Sequence, residues 1–328
     1  MPPLIQARNI VKHFPVRGGM LNRIVRKVHA VNDVSFDINK GEILGVVGES
    51  GCGKSTLGKV IIRLIEPTSG SIKYDGKEVT DLDHAALMPL RKRMQIIFQD
   101  PYSSLNPRLT VRALLKEAIR LHNIVPPQEM DDYIVNLAQT VGLRPDAVDR
   151  FPHEFSGGQR QRIGIARALA LKPEFIIADE PVSALDVSIQ AQVLNLMMEL
   201  KETFGLTMMF ISHDLKVIEH FCDRVLVMYL GHLVETLSCD NLHEDAKHPY
   251  TKALLGANPI NDPDERRPLT VLQGDVPSPF NMPKGCPFAG RCPLVEPRCR
   301  TEMPPLKQHS NGQAVACWVV NEPQPAAV

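Results

Sequence analysis

The stretch that decides the fold is Glu-Ile-Leu-Gly-Val-Val-Gly-Glu-Ser-Gly-Cys-Gly-Lys-Ser-Thr, residues 42–56. It begins with a short apolar run, which predicts a strand buried on both faces. Residues 48–56 fit the pattern G-x-x-x-x-G-K-[ST], which cradles phosphate when it lies between a strand and a helix. Because residues 55–65 predict that helix, we expect a phosphate loop in an α/β fold.

Each residue type in this loop has a physical role in holding a phosphate chain. Glycines let backbone N–H groups curl round phosphate oxygens, and the start of the helix adds a positive dipole end. We expect Lys54 to reach the β- and γ-phosphates, and the hydroxyl of Ser55 to bind Mg²⁺. The predicted nucleotide contacts in the loop are Gly48, Ser50, Gly51, Cys52, Gly53, Lys54, Ser55 and Thr56.

Length and composition limit what the rest of the chain can be. The 328 residues predict about two domains, and Lys+Arg and Asp+Glu are 37 each. Zero net charge argues against a protein that holds nucleic acid by bulk charge. No apolar run approaches the roughly 18 residues of a membrane span, and the N-terminus lacks the apolar core of a signal peptide. We therefore expect a cytosolic protein.

Short apolar runs alternate with helical patterns up to about residue 245, which is typical of an α/β core. The further predicted strands are 95–98, 175–178 and 207–211, and the further predicted helices are 160–170 and 189–204. More than half of the 27 prolines lie from Pro249 onward, in a stretch without long periodic apolar segments. That stretch predicts a loop-rich C-terminal lobe.

A second helix start is predicted far from the first. Ser-Gly-Gly-Gln, residues 156–159, precedes an amphipathic stretch, and Ser156 stands where a helix cap stands. The pattern fits a capped helix start, and it also fits a second helix N-terminus that binds an anion. Placed between a phosphate loop and an apolar run that ends in Asp179 and Glu180, the segment closely resembles the signature of the ABC-family ATPases.

The resemblance implies roles for the remaining motifs. Asp179 and Glu180 look like the end of a Walker B strand, so Asp179 would hold Mg²⁺ through water and Glu180 would be the general base or polarise the attacking water; the alternative is a capped turn. Gln99 resembles the Q-loop glutamine, which senses Mg²⁺, water and the membrane partner. His213 resembles the switch histidine that contacts the γ-phosphate. Residues 183–186, ending in Asp186, resemble the D-loop, which crosses a dimer interface.

Phe14 is the best candidate for the aromatic ring that stacks on adenine, and the alternative is a core phenylalanine. A basic insert, residues 17–27, separates it from the next strand.

The family pairs two cassettes head to tail, so the signature of one chain closes over ATP held by the other. The implied catalytic residues are Lys54, Gln99, Glu180 and His213, the implied Mg²⁺ ligands are Ser55, Gln99 and Asp179, and the implied signature contacts are Ser156, Gly157, Gly158 and Gln159.

Longer stretches resemble the dipeptide and oligopeptide importer group, and the resemblance covers nearly the whole chain. These stretches are residues 99–108, 178–188 and 248–255 and the cysteine-rich end. The resemblance implies a P-loop ABC ATPase core, an inserted helical signature subdomain and a small C-terminal lobe. The implied bounds are 1–98 and 166–250 for the core, 99–165 for the subdomain and 251–328 for the C-terminal region.

The same resemblance implies a peripheral ATPase on the cytoplasmic face of the membrane. Its partners would be a second, D-type ATPase in a heterodimer, two permease subunits and, indirectly, an extracytoplasmic peptide-binding protein, with no nucleic acid. The alternatives are an importer of nickel or another solute, an export motor and a non-transport ABC ATPase. Tyr102 and Leu105 are candidates for the permease contact, and their alternative role is internal packing.

Cys286, Cys292, Cys299 and Cys317 lie within 32 residues near the C-terminus. In a cytosolic protein, clustered cysteines more often bind metal than form disulfides. Their spacing is wider than that of zinc knuckles, whereas iron–sulfur clusters accept varied spacing. We predict a [4Fe–4S] cluster, with zinc as the first alternative; unliganded thiols and disulfides stay open.

Overall fold

A computed structural model describes residues 2–18, 23–257, 274, 277–309 and 312–322 of the chain. The chain divides into two compact units. The first unit comprises Met1–Ile38, Leu44–Thr80 and Ser212–Val328, and the second comprises Asn39–Ile43 and Asp81–Ile211. Within the described ranges, no helix is both long enough and apolar enough to cross a membrane.

An antiparallel sheet in the first unit is built round a long hairpin. Its strands, in the spatial order β2-β1-β4-β5, are β1 (Ile5–Gly18), β2 (Arg23–Ile38), β4 (Ser69–Tyr74) and β5 (Lys77–Glu78). The hairpin was not predicted, because its outer part is exposed and charged and so lacks apolar alternation. The predicted insert, residues 17–27, continues both strands; residues 19–22 lie outside the described ranges.

A second set of strands in the first unit carries the phosphate loop. These strands, in the spatial order β11-β12-β10-β9-β3, are β3 (Ile43–Val47), β9 (Arg224–Tyr229), β10 (His232–Ser238), β11 (Lys307–Gln308) and β12 (Ala314–Val315). β3 and β9 pair in parallel, and the other neighbours pair antiparallel. Every residue of β3 is buried, which confirms the strand predicted from its apolar run.

The helix after the phosphate loop, α1, spans Lys54–Ile61 and ends four residues before the predicted end. Arg63 adopts a left-handed conformation, with φ 56. The N–H groups of Leu64 and Ile65 both donate to the carbonyl of Lys59, at 2.9 and 3.2 Å. This turn satisfies the last helical carbonyls and stops the helix, so the prediction was wrong at this end.

The other helices of the first unit are short and lie toward the C-terminus. They are α8 (Leu215–Phe221), α9 (Leu242–Asp245), α10 (Pro249–Gly256), α11 (Pro297–Thr301) and α12 (Trp318–Asn321). A buried carboxylate joins α10 to β10: Glu235 accepts from the N–H of His248 at 3.1 Å and from the side-chain amide of Gln313 at 2.8 Å. Burial raises the pKa of Glu235, and these donors oppose that shift.

The second unit combines parallel strands with six α-helices. The strands, in the spatial order β8-β7-β6, are β6 (Met94–Ile97), β7 (Phe175–Asp179) and β8 (Thr207–Ser212). They confirm the three predicted strands to within one residue at each end. The helices are α2 (His84–Arg93), α3 (Pro101–Ser104), α4 (Val111–Leu121), α5 (Met130–Thr140), α6 (Gly157–Leu169) and α7 (Val187–Phe204). The last two begin two or three residues before their predicted starts.

Candidate nucleotide site

The phosphate loop holds its lysine inside the fold. Lys54 is 4% exposed, and its ammonium donates to the carbonyl oxygens of Gly48 at 2.6 Å and Glu49 at 3.2 Å. Gly53 precedes α1 with φ 102, and a Cβ atom there would overlap the carbonyl oxygen of Ala30. Only glycine fits both the conformation and the space at this position. The loop therefore contains the glycine-dependent turn before the helix that the pattern predicts.

The remaining loop residues differ in their access to solvent. Ser50 and Gly51 are exposed, Ser55 and Thr56 are half-buried, and Cys52 is buried. Burial raises the pKa of the Cys52 thiol, which keeps it in the uncharged form despite the neighbouring lysine. Cys52 is therefore enclosed, whereas Ser50 and Gly51 before it are exposed to solvent.

Phe14 lies on β1 and is half-buried, so it is not part of the closed core. The ammonium of Lys12 lies 5.0 Å from the centre of its ring and also donates to the carbonyl of Glu66 at 2.7 Å. An accessible aromatic ring in the unit that carries the phosphate loop is consistent with the predicted stacking on adenine.

Two of the predicted catalytic residues of the second unit contact each other. The amide of Gln99 donates to the carboxylate of Glu180 at 2.9 Å. Glu180 adopts a left-handed conformation, with φ 46, and its N–H donates to the carbonyl of Ile211 at 3.0 Å. Asp179, the last residue of β7, is 3% exposed. Left-handed backbone at a residue other than glycine is sterically costly and is concentrated at functional sites.

The signature segment, residues 156–159, forms a capping box at the start of α6. The N–H of Gln159 donates to the hydroxyl of Ser156 at 3.4 Å, and the N–H of Ser156 donates to the side-chain oxygen of Gln159 at 3.1 Å. Ser156, Gly157 and Gln159 are exposed. The capped helix start is therefore confirmed, and the binding of an anion at this N-terminus stays a prediction.

The predicted D-loop packs beside this segment. A Cβ atom at Gly157 would lie 3.4 Å from the side chain of Leu185, which is ordinary van der Waals contact. The side-chain amide of Gln190 donates to the carbonyls of Val182 at 3.1 Å and Leu185 at 2.9 Å. Asp186 follows as an exposed residue at the start of α7. These hydrogen bonds hold the D-loop on its inner side, while Asp186 at its end is exposed to solvent.

Three further predicted residues differ in their exposure to solvent. His213, in the first unit, is exposed and directly follows β8. Tyr102 is 59% exposed, and the guanidinium of Arg160 lies 4.9 Å from the centre of its ring. Leu105 is 2% exposed and belongs to the core. The prediction of a partner contact is therefore wrong for Leu105, whereas Tyr102 is accessible.

The four C-terminal cysteines do not form a recognisable metal centre. In the part of the chain that the structure describes, no group of three or more His, Cys, Asp or Glu side chains is arranged to hold a metal ion. Burial raises the pKa of Cys286 to about 11 and also raises the pKa of Cys292 and Cys317. This favours thiols over the thiolates that a metal binds, so the structure does not support the predicted cluster.

Two residues that the sequence analysis did not assign contact the phosphate loop. The hydroxyl of Tyr250 accepts from the N–H of Glu49 at 2.8 Å, and Arg291 forms two hydrogen bonds to the carboxylate of Glu49. Residues 248–255 were noted only for their resemblance, and the position of Arg291 matched no motif. Sequence separations of 201 and 242 residues carry no local pattern that could have linked them to the loop.

Comparisons with known proteins agree with this geometry. The family model described as "ABC transporter" matches residues 31–183, and the model described as "Oligopeptide/dipeptide transporter, C-terminal region" matches residues 234–299. The oligopeptide transport ATP-binding protein AppF of Bacillus subtilis is 51% identical over 317 residues, covering 96% of this chain and 96% of AppF.

Solved structures of ATP-binding cassettes resemble this chain as well. The dimeric cassette MJ0796 bound to ADP and Pi superposes with a TM-score of 0.64 at 28% identity, covering 72% of this chain and 99% of the cassette. The protein cbiO1 of Clostridium perfringens, part of the ABC transporter complex cbiONQ, gives a TM-score of 0.64 at 25% identity, covering 75% of this chain and 92% of cbiO1.

Proposed function

The chain belongs to the peptide-transport ATP-binding proteins of the ABC transporter family, and we propose that its phosphate loop and the residues round Glu180 use ATP to drive peptide import. The observation that carries the proposal is the buried Lys54, held over the loop by the carbonyls of Gly48 and Glu49. A buried ammonium at a helix start is suited to bind phosphate oxygens.

Binding of the phosphates and of adenine is assigned to the first unit. Lys54 would bind the β- and γ-phosphates, backbone N–H groups of the loop would bind phosphate oxygens, and Phe14 would stack on adenine. The donor set for Mg²⁺ consists of oxygen ligands, which this hard cation prefers. Those ligands would be the hydroxyl of Ser55, the carboxylate of Asp179 and the amide oxygen of Gln99. When bound, Mg²⁺ would neutralise phosphate charge.

Hydrolysis is assigned to the loops at the ends of β7 and β8. Glu180 would take a proton from the attacking water, and the hydrogen bond from Gln99 would orient its carboxylate. His213 would contact the γ-phosphate, and the signature segment would bind the nucleotide of a partner ATPase. The exposed capping box of that segment and the left-handed conformation of Glu180 support these assignments.

The proposed assembly is a heterodimer with a second ATPase on two permease subunits at the cytoplasmic face of the membrane. An extracytoplasmic binding protein would deliver the peptide. Exposed Tyr102 is the proposed permease contact in the segment after β6. We retain the division into a core (1–98 and 166–250), a signature subdomain (99–165) and a C-terminal region (251–328) as part of this proposal.

The experiment is a mild-detergent purification of the tagged chain from its native membranes, with partners identified by mass. We expect a second ATPase and two permeases. A matched purification of the variant Tyr102→Ala should recover less permease while retaining the second ATPase. Recovery of ribosomal or DNA-repair proteins alone would overturn the transport assignment, and a binding protein for nickel would change the solute.

We propose separately that the four C-terminal cysteines bind a [4Fe–4S] cluster, with zinc as the alternative. Burial raises the pKa of Cys286, Cys292 and Cys317, but backbone N–H groups that donate to their sulfur atoms lower it, and Cys299 lies close enough to act on all three. A bound metal would supply the positive charge that offsets the cost of burying thiolates. Anaerobically purified protein should contain iron and sulfide and absorb visible light. Iron-free protein with one zinc per chain would replace the cluster by zinc, and metal-free protein would exclude both.

A further inference from the structure

Glu49 is an acidic residue inside a loop that binds anions. It lies directly after Gly48 and five residues before Lys54, and its side chain is 25% exposed. A carboxylate so close to the phosphate-binding backbone would repel a triphosphate if its charge were not balanced. The side chain that pairs with Glu49 therefore affects how strongly the loop binds nucleotide.

That partner is Arg291, from the C-terminal region of the same unit. Its two terminal nitrogens donate to the two carboxylate oxygens of Glu49, at 2.7 and 3.0 Å. The Arg291 side chain is only 8% exposed, and one of its nitrogens also donates to the hydroxyl of Tyr229 at 3.3 Å. A bidentate, largely buried ion pair of this kind is stronger and more directional than a surface ion pair.

Tyr250 holds the same residue through the backbone. Its hydroxyl accepts from the N–H of Glu49 at 2.8 Å, and its side chain is fully buried. The ring of Tyr250 packs against the rings of Tyr229 and Phe288, with centroids 4.7 and 5.4 Å away. This aromatic cluster fixes the hydroxyl in place, so the loop is held at both the backbone and the side chain of Glu49.

Arg298, in the same C-terminal region, pairs with other carboxylates. Arg298 pairs with Glu302 and Glu322, both at 3.0 Å, and its side chain is 42% exposed. Arg298 and Arg291 therefore share charge, side-chain type and number of carboxylate oxygens bound, but of the two only Arg291 contacts the phosphate loop. This difference makes Arg298 a matched control.

We propose that Arg291 and Tyr250 are positioning residues, which hold the phosphate loop in its nucleotide-binding shape and cancel the charge of Glu49. The inference rests on the proposed function, because it takes the loop to be the ATP site. It makes the C-terminal region a structural part of nucleotide binding. Preorganising the loop lowers the ordering cost of binding, and the ion pair removes a repulsive charge.

The test is equilibrium binding of a fluorescent N-methylanthraniloyl-ATP with Mg²⁺ to the full chain, together with thermal melting. Arg291→Ala should weaken binding about tenfold, the size expected for losing a charge-assisted pair, while Arg298→Ala should leave it unchanged. Tyr250→Phe should weaken binding a few-fold. Equal affinity of Arg291→Ala and wild type would overturn the proposal.

A rescue distinguishes the charge effect from a general loss of structure. Glu49→Gln removes the repulsive charge but keeps an oxygen acceptor, so the double variant Arg291→Ala/Glu49→Gln should bind within about threefold of Glu49→Gln alone. Failure of this rescue would overturn the charge-cancelling role. If Arg291→Ala does not fold, Arg291→Lys decides, because it keeps the charge and loses the fork. Wild-type affinity of Arg291→Lys for the nucleotide would then overturn the positioning role.

The proposed function is tested separately in the same assay. Wild-type chain should bind the nucleotide and Lys54→Ala should not. If the two bind alike, the ATP assignment of the loop fails, whatever Arg291 does. If they differ and Arg291→Ala matches wild type, only the positioning role fails.

Discussion

The phosphate loop and the signature segment are both helix starts suited to anions, but they are held in different ways. The loop is contacted by Tyr250 and Arg291, which lie 201 and 242 residues further along the chain. The signature segment, residues 156–159, is held by hydrogen bonds between its own Ser156 and Gln159. The first is stiffened by distant residues, whereas the second is a local and largely exposed structure. An exposed helix start of this kind is accessible to a second chain.

The largest expected effect comes from removing the charge at the centre of the loop. Lys54→Ala should lower ATP hydrolysis by about a thousandfold or more, because the phosphate charge loses its partner in a buried setting. The measurement is phosphate release by the assembled transporter, with Lys172→Ala as a surface control in the other unit. Hydrolysis above one-tenth of the wild-type rate would show that the loop does not carry the chemistry.

Glu180→Gln separates holding the nucleotide from hydrolysing it. The variant should hydrolyse ATP roughly a hundredfold or more slowly, because an amide cannot accept the proton of the attacking water. It should still bind nucleotide, since the loop in the first unit is intact. Size-exclusion chromatography with ATP should show a trapped ATPase dimer. Near-normal turnover would mean that another residue is the base.

Ser156→Ala tests the local character of the signature segment. Loss of the cap should cost about 1 kcal/mol of stability at most and reduce hydrolysis by the assembled transporter about tenfold. Nucleotide binding by the single chain should not change, because the segment serves the partner's nucleotide. A drop in single-chain affinity as large as that of Arg291→Ala would erase the distinction between the two helix starts.

The last effect is on stability alone, and it arises at His248, next to the buried Tyr250 that contacts the phosphate loop. Burial lowers the pKa of His248 to about 3, and its ring nitrogen accepts from the N–H of Tyr250 at 3.1 Å. The unfolded chain takes up this proton near pH 6.5, whereas the folded chain does not. The contribution of His248 to the free energy of unfolding is therefore fully present above pH 6.5. It falls as the pH is lowered, by about 2 kcal/mol at pH 5.

Urea unfolding at pH 7.5 and pH 5 measures this loss. His248→Asn keeps a side-chain acceptor for the cap but does not titrate, so its stability should fall less between the two pH values. Burial also lowers the pKa of His232, to about 4, so part of the acid sensitivity should remain in the variant. Identical losses in wild type and His248→Asn would show that His248 is not the group responsible.

Local segments were predictable wherever short-range chemistry sets the backbone. The glycines round Lys54, the apolar run of β7 and the cap at Ser156 each specify a conformation within a few residues, and the structure confirms them. The hairpin of β1 and β2 was missed, because its charged outer part lacks apolar alternation. The end of α1 was missed because a left-handed arginine, Arg63, leaves no pattern in the sequence.

The sequence by itself determined the order of the motifs, the strand and helix beside the phosphate loop and the family to which the chain belongs. Only the tertiary structure decided that Leu105 is buried, that Gln99 donates to Glu180, and that Arg291 and Tyr250 hold the loop. The physical reason is the separation along the sequence over which each kind of interaction acts. Backbone preferences act over a few residues, whereas a contact between residues 49 and 291 exists only once folding returns the chain to the same place.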